Sequence, residues 1–161
     1  MLATRTTTQV APFGEVTTRA LEGNILEVVH RGHCGPAQVR AVLELTPDAL
    51  RRMPGADWLL NMSAVTSTDP LASLAGGAIM RTFRARGGKR FVAVTPSPDA
   101  RMIIATGAFA ANIPFKVFAT RDDALAFLRG EPAPPIRPLA KGPPTVPPPG
   151  SPPAVRHRLD G

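Results

Sequence analysis

Two short β-prone runs, residues 16–20 and 25–30, flank Leu21-Glu22-Gly23-Asn24. The Gly-Asn pair supplies the positive φ of a tight reversal, so this stretch predicts a hairpin. After Gly35-Pro36 the apolar period changes, and Val39, Val42 and Leu43 fall at helical spacing. Pro47 lacks an N–H and crowds the carbonyl four residues back, while Thr46-Pro47-Asp48 is itself a helix start. The region is therefore predicted as one kinked helix or two short ones, ending near Met53-Pro54-Gly55.

The run Trp58-Leu59-Leu60-Asn61-Met62-Ser63-Ala64-Val65 begins apolar and reads as a buried strand, followed by a polar loop at Thr66, Ser67 and Thr68. Asp69-Pro70 then opens a second helix by the same capping logic. Its predicted buried stripe is Leu71, Leu74, Ala75, Ala78, Ile79 and Phe83, and Gly87-Gly88 stops it. Two glycines inside it, Gly76 and Gly77, each cost about 1 kcal/mol relative to Ala, which points to close backbone approach by a neighbour, expected to be the sheet.

Residues 90–95 predict a further strand. Ser97-Pro98-Asp99 caps a third helix through Ala111, and residues 115–119 are another strand. Thr120 with Asp123 resembles a capping box for a last helix closed by Gly130. The predicted fold is α/β: an N-terminal β-hairpin, then alternating helix and strand, giving a mostly parallel mixed sheet flanked by helices.

Composition divides the chain. Of 19 prolines, 11 follow Glu131, so residues 131–161 predict a disordered proline-rich tail that forms neither ladder nor core. Residues 1–12 are Thr-rich without apolar period and predict a flexible lead-in, leaving 13–130 as one domain of ordinary size.

The net charge of +7 is spread: +4 falls within 13–130, +2 in the tail, and Arg5 supplies the rest. No Tyr and few Phe interleave with the cations, so stacking platforms for single-stranded nucleic acid are missing and no nucleic-acid partner is expected. Arg81, Arg84, Arg86, Lys89 and Arg90 form one cluster. Its first three members fall in the last turns of the second helix, where cations complement the dipole; a patch for an acidic partner is the competing reading. The lone Cys34 excludes an internal disulfide. With no apolar leader and no run near the ~18 apolar residues of a membrane span, the chain is expected to be cytoplasmic and reduced.

Catalytic equipment is sparse. No Gly-rich phosphate loop occurs, and the acids sit mostly at helix starts. His30-Arg31-Gly32-His33-Cys34 offers two imidazoles and a thiol, but a stable metal site needs three or four ligands with fixed partners. The plain reading is a strand end and loop on the surface, with no metal and no cofactor. The third helix is apolar nearly all round, through Met102, Ile103, Ile104, Ala105, Ala108, Phe109, Ala110 and Ala111. One face of it is thus available to a partner or a second copy, unless the core takes it all. The remaining candidate is the segment from Asn61 to Pro70, where a buried strand runs out into hydroxyl residues before a helix N-terminus that favours anionic groups.

That segment also carries a resemblance. A strand ending in Asn61-x-Ser63, then Val65-Thr66, Asp69, a Leu-bearing helix, Gly-Gly and the strand Arg90-Phe91-Val92-Ala93-Val94 resembles the STAS family, whose type members are bacterial anti-sigma-factor antagonists. The similarity in element order runs from about Ile25 to Leu128 and is most telling from Trp58 to Thr95. The resemblance implies a non-enzymatic switch that docks a protein partner, a kinase or anti-sigma-like regulator, through the loop and N-terminus of helix two. The docking residues implied are Asn61, Ser63, Thr66, Ser67, Thr68, Asp69 and Ser73. In the family an Asp stands at the position of Asn61, while Ser63 and Asp69 match its pattern. The phospho-acceptor position is Pro70, so a surviving phospho-switch would have moved to Ser67, Thr68 or Ser73. The broader STAS/SEC14-like resemblance implies an alternative, binding of a small apolar or lipid-like ligand between the sheet and the third helix.

The tail buries no appreciable apolar area on this reading. Deleting residues 132–161 is expected to shift the melting temperature only slightly; unfolding on truncation would show that the tail packs on the domain.

Overall fold

A computed structural model describes residues 6–11 and 14–132. Six strands form one sheet in sequence order: β1 (Thr6–Ala11), β2 (Gly14–Leu21), β3 (Ile25–Cys34), β4 (Asp57–Thr68), β5 (Phe91–Val94) and β6 (Phe115–Phe118). The pairs β1–β2 and β2–β3 are antiparallel, and β3 to β6 are mutually parallel. Four helices follow the parallel strands: α1 (Pro36–Arg52), α2 (Ala72–Ala85), α3 (Pro98–Ala110) and α4 (Arg121–Arg129). The α/β alternation and the hairpin expected from the sequence are present. Gly23 and Asn24 both take positive φ, 83° and 58°, at the β2–β3 reversal.

Because β3, β4, β5 and β6 step in one direction across the sheet, right-handed crossovers put α1, α2 and α3 on the same face. Leu26, Val28, Trp58, Phe91 and Ala93 point to that face and pack with Val42, Phe83 and Ile104. Alternate residues Ile25, Leu59, Val92 and Val94 point to the other face. There Ala124, Leu125 and Leu128 of α4, which leads to no further strand, cover them. Trp58 anchors the larger cluster, meeting the rings of Phe83 and Phe91 edge-on at 5.2 and 5.4 Å.

Several expectations are corrected. Residues 6–11 are an edge strand paired to β2, where the sequence predicts a loose lead-in; the ladder to β2, and not an apolar period of its own, makes this segment a strand. The expected tail lies outside the described residues, apart from Glu131 and Pro132. Helix α1 runs unbroken through Pro47, and Thr46 is not a cap but a buried residue whose hydroxyl has no partner. The polar residues Thr66, Ser67 and Thr68 belong to β4, not to a loop, since β3 continues beside them. Helix α2 begins at Ala72, and Leu71, expected in its buried stripe, is 58% exposed.

Of the glycine pair in α2, Gly77 faces a helix, not the sheet. A Cβ on Gly107 of α3 would lie 3.4 Å from the Gly77 nitrogen, and one on Gly77 would lie 3.7 Å from the Gly107 carbonyl. Glycine on both sides lets α2 and α3 touch backbone to backbone. At the ends, Ser97 accepts from the Ala100 N–H, Thr120 accepts from the Asp123 N–H, and Gly130 closes α4 in the left-handed region. Arg90 forks onto Asp57, with Nε at 3.0 Å from Oδ1, and also donates to the Leu128 carbonyl, tying β4 and β5 to the end of α4.

Gly107→Ala is expected to be tolerated, whereas Gly107→Leu should wedge the helices apart and cost about 1–3 kcal/mol, read from the urea midpoint. Equal stability of the two variants would show that the α2–α3 approach is slack.

Candidate functional site

The pairing of β4 with β5 ends at Asn61–Val94, and β2 leaves β3 at Gly32. Strands β3 and β4 continue together to Cys34–Thr68, so a two-stranded arm projects from the carboxyl end of the parallel sheet. Two register shifts interrupt it. Met62 and Ser63 oppose His30 alone, and Thr66 is an extra residue between the pairs Gly32–Val65 and His33–Ser67. These bulges turn side chains outward: the hydroxyl residues Ser63, Thr66 and Ser67 are exposed, and so is Ala64.

The arm ends in a turn built on Asp69. Its N–H donates to the Cys34 carbonyl at 2.9 Å, and its Oδ1 accepts the Leu71 N–H at 2.8 Å. Its carbonyl accepts the Ala72 N–H at 2.9 Å. Asp69 therefore forms an Asx turn before α2, whose first residue follows Leu71 with no side-chain cap, and the capping role expected of Asp69-Pro70 is corrected. Ser73 falls in the first turn of α2. Ser67 Oγ lies 3.0 Å from His33 Nδ1 across the arm.

Asn61 points the other way. Its Oδ1 accepts from the Ser63 N–H and hydroxyl at 3.1 and 2.7 Å, while its Nδ2 donates to Glu27 Oε1 at 3.3 Å. Glu27 is fully buried on the α4 face, and Arg121 at the start of α4 grips both its oxygens at 2.6 and 3.0 Å. The structure thus brings Asn61 and Ser63 together, sets Thr66, Ser67, Thr68 and Asp69 further out along the arm, and adds Glu27 and Arg121. Sequence reasoning missed that pair; the signal for it was an acid at the centre of the apolar run Ile25-Leu26-Glu27-Val28-Val29.

The segment His30 to Cys34 lies wholly within β3, not in a surface loop, because β4 pairs along its length. His30 and Cys34 are buried, with Nδ1 and Sγ 3.6 Å apart. Burial pushes the imidazole down to about 4 and the thiol up to about 11, so at neutral pH both are uncharged and neither is an activated nucleophile. Among the described residues no three His, Cys, Asp or Glu side chains gather as metal ligands. In the basic cluster Arg90 is committed to Asp57, and Arg84 donates to the Asn112 carbonyl. No helix among the described residues is long and apolar enough to cross a membrane.

This architecture is a SpoIIAA-like α/β fold. It is similar to the unphosphorylated anti-sigma factor antagonist SpoIIAA, with 18% identity and a TM-score of 0.56 over 71% of this chain and 98% of that one. An anti-sigma factor antagonist from Mycobacterium paratuberculosis matches at 21% identity and a TM-score of 0.52, covering 78% of this chain and 95% of that one. An uncharacterized Shewanella loihica protein with a SpoIIAA-like fold matches at 13% identity and 0.50, covering 78% and 93%. No family model matches the sequence, and no curated protein does. The likeness is one of fold.

Two acid-side transitions follow. His30 is held neutral when folded but protonates near 6.5 when unfolded, so the unfolded state gains the proton first. Stability should fall by about 3 kcal/mol as pH drops from about 6.5 to 4, and His30→Leu should flatten that window. Burial alone would raise the Glu27 carboxyl, but the bonds from Arg121 and Asn61 outweigh it and hold it below its usual value. Its contribution is present above that value and lost as pH falls through the folded one. Arg121→Ala should cost about 2 kcal/mol at pH 7 and move this lower transition toward neutral pH, measured by urea denaturation across the pH series. A pH profile unchanged in both variants would refute the assignments.

Proposed function

We propose that this domain is a non-enzymatic regulatory module that binds a protein partner through the β3–β4 arm and the start of α2. The observation that carries this reading is the run of exposed polar positions Ser63, Thr66 and Ser67 leading into the exposed Leu71, at the free end of a SpoIIAA-like sheet. An apolar anchor beside hydroxyl donors is the composition of a modest, polar-rimmed interface. The fold's relation to anti-sigma factor antagonists supports a protein partner, a kinase or anti-sigma-like regulator, over a substrate.

Within this reading Asn61 supports the surface from inside, by holding the Ser63 hydroxyl, while Ser63, Thr66, Ser67, Thr68 and Asp69 face or shape the partner. A phospho-switch in this chain would use Ser67, Thr68 or Ser73, since Pro70 has no hydroxyl. Phosphate at position 73 gains from the helix dipole yet repels or crowds a docked partner. Modification of Ser67 must first release its bond to His33. The exposed Met102 and Phe109 of α3 are a separate surface, suited to a second copy of the chain.

The test is capture with the tagged full chain, followed by affinity measurement on the recovered partner with wild type, Leu71→Asp, Ser73→Asp and the Ser67→Ala/Thr68→Ala pair. Leu71→Asp and Ser73→Asp should each weaken binding at least tenfold while circular dichroism stays unchanged. Wild-type affinity in all variants would move docking away from the arm and refute the proposal.

A further inference from the structure

The outer side of α3 departs from the surface of an ordinary globular chain. Of the large apolar side chains exposed among the described residues, two stand on this helix, Met102 at 67% and Phe109 at 88%. Seven positions are close to two helical turns, so both project from one face, about 10 Å apart along the axis. Ala105, Thr106 and Ala110 lie between or beside them. The charged residues of α3, Asp99 and Arg101, fall in its first turn, at the end away from Phe109.

Helix α2 borders that face with cations. It carries Arg81 and Arg84 and no acid. Arg84 donates to the Asn112 carbonyl at 2.7 Å, just past the end of α3. A Cβ on Gly77 would lie 3.4 Å from Arg81 Nη1 and 3.9 Å from the Ala110 Cβ, so Arg81 also sits beside the last turn of α3. That turn is the one that bears Phe109. Among the described residues neither Arg81, Arg84 nor Arg101 joins an ion pair, and a carbonyl accepts a hydrogen bond without neutralising the charge. The α2–α3 surface is therefore an apolar ridge edged by uncompensated guanidinium groups.

We propose that this surface docks on an anionic lipid bilayer, with α3 lying in the interface plane, Met102 and Phe109 entering the headgroup–acyl boundary, and Arg81 and Arg84 meeting lipid phosphates. A bilayer of this kind offers an apolar phase and negative charge within one thin layer, which is the pairing the ridge presents. A nucleic-acid backbone would match the guanidinium groups and leave the two apolar side chains in water. Composition suits the face to a second copy as well, but a two-fold contact centred on it would bring Arg81 and Arg84 toward their own counterparts, and like charges brought together weaken such a contact. The ridge shares no residue with the β3–β4 arm, so the proposal stands or falls independently of partner docking.

The test is co-sedimentation of the full chain with phosphatidylcholine vesicles, with and without phosphatidylglycerol. Wild type should bind only the phosphatidylglycerol vesicles and be released by high salt. Arg81→Gln should weaken that binding about fivefold, the share of one cation near an anionic leaflet. Phe109→Ser should weaken it roughly tenfold or more through the lost apolar burial, with circular dichroism unchanged. Arg84→Gln also loses the bond to Asn112, so Arg81→Gln and Phe109→Ser decide the matter if it does not fold. No binding by wild type, equal binding to the neutral vesicles, or undiminished binding in both deciding variants would overturn the proposal. So would a dimer on analytical ultracentrifugation that Phe109→Ser abolishes while vesicles stay unbound, which would give the face to a second copy. Binding to heparin that survives Phe109→Ser, again without vesicle binding, would give the cations to a soluble polyanion.

Discussion

The parallel pairing of β3 with β4 is the constraint from which the rest of the architecture follows. It extends from Ile25–Asp57 to Cys34–Thr68, well past the point where β5 stops beside Asn61. Along its first half the pair lies in mid-sheet, with apolar side chains on both faces, and α1 and α4 close over opposite sides. Along its second half it has lost β5 and then β2, and its side chains turn polar. Asn61 sits at the changeover. One end of its amide holds the buried Glu27 against Arg121, and the other end holds the first exposed hydroxyl of the arm.

The buried carboxylate makes α4 a component of the sheet and not an appendage. Arg121 is the first residue of α4, so the ion pair fixes the entry of the helix while Leu125 and Leu128 pack further along. A buried ion pair repays its desolvation only when its remaining hydrogen-bond positions are filled, and Asn61 fills one of them. At the opposite end of α4, Arg90 bridges Asp57 and the Leu128 carbonyl. The helix is held at both ends by guanidinium groups and in the middle by apolar contact.

On the other face the balance is different. Helices α2 and α3 approach closely at Gly77 and Gly107, while the neighbouring Gly76 borders a void beside Trp58. The face therefore combines tight packing around Phe83 with a gap near His30 and Gly76. The exposed arm and the cavity lie in distinct environments, one polar, the other apolar.

Local sequence alone determined the element order from the β2–β3 hairpin onward, the turn at Gly23-Asn24, the caps at Ser97 and Thr120 and the stop at Gly130, because turn chemistry and apolar period act within a few residues. The candidate segment from Asn61 to Asp69 was legible too, as a strand running from apolar into hydroxyl residues. Tertiary structure decided what pairing across the chain controls. Thr66, Ser67 and Thr68 read as a loop by composition, and became strand only because β3 lies beside them with two bulges. Pro47 left one kinked helix or two short ones open, and packing of α1 against β2 and β3 decided for a single helix. Gly76 and Gly77 looked equivalent, and only the position of α3 separated a contact from a void. Glu27 could be seen as an anomaly in an apolar strand, but its partner Arg121 lies 94 positions away, and no local rule joins residues at that distance.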